Sequence, residues 1–146
     1  MTFYDDLETR SADARASSLV ESLPSLLAHA QTLPGHTNLS EFDVVNITSA
    51  VDLARLPVLR KSELSAAQKL RPPFGGLSGP HFEYAFQSPG PLYEPGRTSH
   101  DWWRFGRFLH ATGIGSADVV QNCFSYHLTP AGTMFENGAR AVGAAV

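Results

Sequence analysis

Two short segments of this 146-residue chain hold the side chains best suited to chemistry. Residues 87–95, Gln-Ser-Pro-Gly-Pro-Leu-Tyr-Glu-Pro, must turn, because one Gly between two Pro leaves the backbone little else. Residues 122–132, Asn-Cys-Phe-Ser-Tyr-His-Leu-Thr-Pro-Ala-Gly, follow a run patterned as a strand. Ligands of open α/β sheets bind beyond the carboxyl ends of strands. A loop there holding Tyr126, His127 and Thr129 makes a natural wall for a small-molecule pocket, with an ordinary surface loop as the alternative for His127.

Other chemistry is poorly served. The six histidines, His29, His36, His81, His100, His110 and His127, show no close ligand spacing, and the single Cys123 has no partner, so no metal site is expected. Cys123 and His127 are four residues apart along a strand and its following loop, a poor geometry for a nucleophilic pair. Residues 74–79, Phe-Gly-Gly-Leu-Ser-Gly, lack the Gly-Lys-Ser/Thr that grips phosphate and read as a connector. Trp102 and Trp103 read as the core and rim of an amphipathic helix.

The elements that must position these residues fall into two halves. Leu19, Val20, Leu23, Leu26, Leu27 and Ala30 make one helical face, and Pro24 divides it into two pieces or one kinked helix. Thr48 and Ser49 before Asp52 read as the cap and first turn of a short helix stopped by Pro57; another short helix begins at Lys61 and runs to about Leu70. Residues 71–80 are dense in Pro and Gly. Beyond them the pattern is strand (81–86), turn (88–91), helix (100–111, capped by Thr98 or Ser99), strand (118–124) and helix (130–142), with a new apolar run beginning at Gly143. The expected class is α/β, a helical N-terminal half followed by strand-turn-helix-strand-helix. Its parts are a helical segment 1–72, a connector 73–80 and the start of a sheet subdomain 81–146. Strand-helix-strand order implies a parallel sheet, and here the last strand has barely begun, so the chain reads as an incomplete N-terminal domain.

Composition narrows the partners. With 11 basic against 14 acidic residues the net charge is −3, without the basic stripe of a nucleic-acid binder. Only 17% of residues are charged, against a typical ~25%. No stretch approaches the ~20 apolar residues of a membrane span, and the acidic start Met1-Thr2-Phe3-Tyr4-Asp5-Asp6 lacks signal-peptide order. The expectation is a cytoplasmic protein that binds neither nucleic acid nor membrane.

Taken in order along the chain, several segments resemble the phenylacetate–CoA ligase family of adenylate-forming enzymes. They are Tyr4-Asp5-Asp6-Leu7-Glu8-Thr9-Arg10, Leu23-Pro24-Ser25-Leu26-Leu27-Ala28-His29-Ala30, Leu56-Pro57-Val58-Leu59-Arg60-Lys61-Ser62-Glu63-Leu64 and Pro72-Pro73-Phe74-Gly75-Gly76. The Ser125-Tyr126 loop and Gly138-Ala139-Arg140-Ala141-Val142-Gly143 complete the series. The resemblance implies joining of a small carboxylic acid, often an aryl acid, to coenzyme A through an acyl-adenylate, with ATP, Mg²⁺ and CoA as cofactors. The family's phosphate loop, Ser-Ser-Gly-Thr-Thr-Gly-Lys-Pro-like, corresponds to residues 88–95, where Ser88, Gly90 and Pro95 fit. Pro89 and Pro91 carry no N–H, Pro91 and Leu92 replace the threonine hydroxyls, and Glu94 stands where the family often has Lys. Each hydrogen bond lost to a charged group is worth roughly 1.5–3 kcal/mol, so several losses weaken ATP binding by orders of magnitude.

The family's Tyr-Gly-Tyr-Gly-like acyl-pocket stretch corresponds to Phe124-Ser125-Tyr126-His127. The resemblance places Tyr126 beside an aryl ring and has His127, in place of Gly, narrow or polarise the cavity. The family's later adenine and Mg²⁺ motif, ribose-binding Asp and C-terminal domain with its catalytic Lys have no counterpart here. An N-terminal ligase segment, not competent alone, is therefore the leading expectation. Its rival is a non-catalytic small-molecule or protein-interaction module with a degenerate phosphate loop. An unfinished sheet invites association, with a missing C-terminal portion or a second copy as partner.

Overall fold

The computed structural model describes residues 3–146. Met1 and Thr2, part of the acidic start, lie outside the described residues. The chain forms two compact units. One is Asp5–Pro80; the other joins His81–Val146 to Tyr4.

The Asp5–Pro80 unit is helical. Helix α1 (Ala12–Thr32) starts at Ser11, whose hydroxyl accepts the Ala14 N–H at 3.1 Å. Pro24 sits inside this single helix. Nearby hydroxyls turn back on the backbone, Ser22 to the Leu19 carbonyl and Ser25 to the Ser22 carbonyl. The expected apolar face is only partly used. Leu27 is buried with Val44 and Ile47, and Phe42 and Leu56 pack on them. Leu19 and Leu26 are exposed. The reason is that α1 meets short 3-10 turns at Thr37–Leu39 and Val44–Asn46 rather than a long partner. Gln31 pins that segment, its amide nitrogen donating to the carbonyls of Leu39 (2.8 Å) and Phe42 (3.0 Å). Helix α2 (Ala50–Leu53) is capped by Ser49, and helix α3 (Lys61–Leu70) follows. Residues 71–80 form turns without helix or strand, with Phe74 buried.

The His81–Val146 unit holds β1 (Tyr84–Ser88), β2 (Leu92–Gly96), α4 (Gly106–Ala111) and α5 (Ala131–Ala141). Strands β1 and β2 form an antiparallel hairpin, with Ser88 opposite Leu92 and Tyr84 opposite Gly96. The sequence pattern places the turn but not the returning strand. Pro91 and Pro95 read as breakers, yet a two-stranded ribbon has free edges on which proline is tolerated. The expected strand 118–124 shrinks to one parallel bridge between Val119 and Ala145. Two bonds make it, Val120 N–H to Ala145 O (2.8 Å) and Ala145 N–H to Asp118 O (3.1 Å). Beyond it Asn122 accepts the Phe124 N–H at its own side chain and turns the backbone away.

The helix expected over 100–111 keeps only its second half. Asp101 and Arg104 take positive φ (47° and 58°), which no helix allows, and Asp101 Oδ1 then accepts the Gly106 N–H at 2.9 Å. Thr98, the expected cap, instead donates its N–H and hydroxyl to the Glu83 carboxylate. Helices α4 and α5 pack around Leu109, Ala139 and Ala144, with Ile114, Val120 and Val142 against them. Gly138 permits this approach, since a Cβ there would lie 2.6 Å from Phe105 Cβ. The result is an α/β chain of helices and a small two-stranded sheet.

Candidate functional site

The β1–β2 turn is closed by its own side chains. Ser88, half-buried at the end of β1, donates its hydroxyl to Glu94 Oε1 at 3.0 Å. Gly90 sits at the turn with φ +148°, and a Cβ there would lie 3.3 Å from Leu92 Cγ. Leu92 is buried. Pro95 is half-buried in β2 opposite Ala85. The Ser88 hydroxyl, which the family resemblance aligns with a phosphate loop, is thus held by a carboxylate, and the neighbouring positions offer two N–H-less prolines and an aliphatic side chain.

The second segment is fastened to the first. The Gln87 N–H, one residue before Ser88, donates to the Leu128 carbonyl at 2.8 Å. Asn122 holds the other side, its amide nitrogen lying 2.8 Å from both Tyr126 Oη and the Gly132 carbonyl. The Gly132 N–H donates to Ser125 O at 3.0 Å, and a Cβ at Gly132 would sit 2.6 Å from that oxygen. Only glycine lets the start of α5 press so closely on the loop. Phe124 stacks on Phe135 of α5 at 4.5 Å between ring centroids.

Beside this loop opens a cleft of about 460 Å³. Tyr84, Arg97 and Thr98 come from the strands and the residues after them, Tyr126 from the loop, and Thr133, Glu136, Asn137 and Arg140 from α5. Arg140 pairs with Glu136 at 2.7 Å. Removal from water, with the Glu136 carboxylate beside it, pushes the Tyr126 phenol above its ordinary value. Asn137 donates to Ser99 O at 3.1 Å. Among the described residues no group of three or more His, Cys, Asp or Glu could hold a metal ion.

Of the expected pocket residues, Tyr126 lines the cleft while His127 and Thr129 do not. His127 is exposed, its N–H donating to Ser125 Oγ at 3.3 Å, and Thr129 is half-buried. Arg97, Glu136, Asn137, Arg140 and the anchor Asn122 escape the sequence reading. Only Asn122 had a local signal, an Asn placed where a strand pattern gives way to a turn.

No protein-family model matches the chain, and no curated protein does. Solved structures do. A 2-hydroxyisobutyryl-CoA ligase in the postadenylation state in complex with 2-HIB-AMP superposes with TM-score 0.80 at 22% identity, covering 91% of this chain and 30% of that one. An open conformation of 2-hydroxyisobutyryl-CoA ligase with 2-HIB-AMP and CoA gives 0.82 at 22% identity, over 93% and 34%. The chain has the fold of part of a CoA ligase. It spans about a third of the length of the ligases it matches. In the hairpin the Ser88 hydroxyl donates to Glu94, which sets a carboxylate among residues 88–95. No helix among the described residues is long and apolar enough to cross a membrane.

Proposed function

We propose that the chain is the acid-binding portion of a phenylacetate–CoA ligase-like, AMP-forming enzyme, not competent alone, with the working residues in 81–146 and a cytoplasmic location. Its ligand is a small carboxylic acid, an aryl acid by the resemblance, seated against Tyr126; His127 and Thr129, which the sequence also puts in the acyl pocket, lie outside the lining of the cleft. In the whole enzyme the acid becomes an acyl-adenylate and then a thioester. What this chain's own residues do is bind the acid: the protonated Tyr126 phenol gives a polar edge to an aromatic wall, and Asn122 fixes its position. The observation that carries this reading is the fold match, TM-scores of 0.80–0.82 over more than nine-tenths of the chain.

Titration of the isotopically labelled chain with phenylacetate and benzoate tests it. Saturable amide shifts at residues 124–133 are expected, and their absence for every aryl acid tried refutes it. The Ser88–Glu94 bond favours a second reading, a non-catalytic module that has given up phosphate binding. A monomer with one cooperative melt supports that module, whereas aggregation or a molten state supports a portion of an enzyme.

A further inference from the structure

The hairpin offers an anion little, but the cleft beside Tyr126 holds a guanidinium with donors to spare. Arg97, just past the end of β2, spends its Nε on the His81 carbonyl at 3.0 Å, and its guanidinium carbon lies 5.7 Å from the centre of the Trp102 ring. Among the described residues its terminal nitrogens make no hydrogen bond. The acids nearby are engaged: Glu83 by the N–H and hydroxyl of Thr98 and by the Arg97 charge, Glu136 by Arg140. The cleft therefore presents one half-buried guanidinium, held against an indole and a carbonyl, whose charge the Glu83 carboxylate shares but whose terminal nitrogens make no hydrogen bond. A pre-set fork of this kind matches a carboxylate and loses little side-chain freedom on binding one. The volume, about 460 Å³, lies within the range of small-molecule pockets.

We infer that Arg97 is the carboxylate-binding residue of this cleft, and that the acid lies with its charged end on the Arg97 terminal nitrogens and its ring against Tyr84 and Tyr126. The inference rests on the acid-binding reading above and adds to it the residue that recognises charge.

The test titrates the labelled chain with phenylacetate and with phenylacetamide, which keeps the ring and loses the charge. Phenylacetate binds roughly tenfold tighter or better, and added salt weakens the acid but not the amide. Arg97→Gln brings the two ligands to equal affinity, and Arg97→Lys, which keeps charge but not the fork, falls between. Should Arg97→Gln fail to fold for want of its Trp102 and His81 contacts, the acid-to-amide ratio and its salt dependence in the unaltered chain decide. Equal binding of acid and amide overturns the inference, as does a ratio that survives Arg97→Gln. In both cases shifts around Tyr126 leave the acid-binding reading standing; no binding by either ligand removes both.

Discussion

Replacing Gly132 with Ala tests whether the loop bearing Tyr126 is seated on helix α5 as described. The new methyl would lie 2.6 Å from the Ser125 carbonyl oxygen and 3.0 Å from Tyr126 Cδ2, distances at which something must move. Overpacking of this kind costs about 1–3 kcal/mol. Loss of the Gly132 N–H to Ser125 O bond adds about 0.5–1.5 kcal/mol. Against these stands a helix-propensity gain of about 0.5–1 kcal/mol, at its low end because Gly132 is in the first turn of α5. The balance is a net loss of about 1–4 kcal/mol, or a melting point lower by roughly 2–16 °C. Trp102 and Trp103 both lie in the same compact unit as Gly132, so tryptophan fluorescence during urea unfolding reads the relevant transition. The Asn122 side-chain amide resonances should shift too, since that amide bonds both Tyr126 Oη and Gly132 O. Gly115→Ala is the control: a Cβ there meets nothing within 4 Å, and stability should stay within about 0.5 kcal/mol. A neutral or stabilising Gly132→Ala with unmoved Asn122 resonances refutes the close approach.

Two further outcomes concern the rest of the fold. Leu27→Ala should destabilise the Asp5–Pro80 unit by about 2–5 kcal/mol, seen as lost amide protection in α1, while Leu26→Ala, at an exposed position, should change little. Thr98 hydrogen bonds hold the Glu83 carboxyl below its ordinary 4.5, so its contribution is present above that value and is lost as pH falls through the lower folded one. The Thr98 amide resonance should therefore titrate with a midpoint under 4.5, and a midpoint at or above it contradicts the bond.

How far the sequence could be read depended on the range of the interactions involved. Helix α3 begins and ends at Lys61 and Leu70, as its local pattern implies, and Ser49 caps α2 through the Asp52 N–H at 3.1 Å. These are short-range effects. Strand β2 was hidden because its two neighbouring prolines are permitted only by a free edge, a property of the sheet. The strand expected over 118–124 has the right residues, but its partner is limited to Ala145. The helix over 100–111 lost its first half to a side-chain bond from Asp101 to the Gly106 N–H that competes with the helical one. The candidate site shows the same division. Tyr126 could be placed by its loop, whereas Arg97 and Arg140 meet it only through the fold.

Two charged residues near the end of β2 give the hairpin and the cleft opposite charges. Glu94 lies within β2 and Arg97 is three residues on, just past the end of the strand. Glu94 crosses the hairpin to Ser88, and Arg97 lines the cleft with Tyr84 and Tyr126. One short stretch thus sets a carboxylate at the turn and a guanidinium at the pocket. On the acid-binding proposal, carboxylate recognition depends on Arg97 and on the anchoring of its neighbours by α5, not on residues 88–94. If Arg97 holds the acid as proposed, changes confined to the turn should leave acid affinity where it was, and a turn variant that loses acid affinity contradicts the proposal.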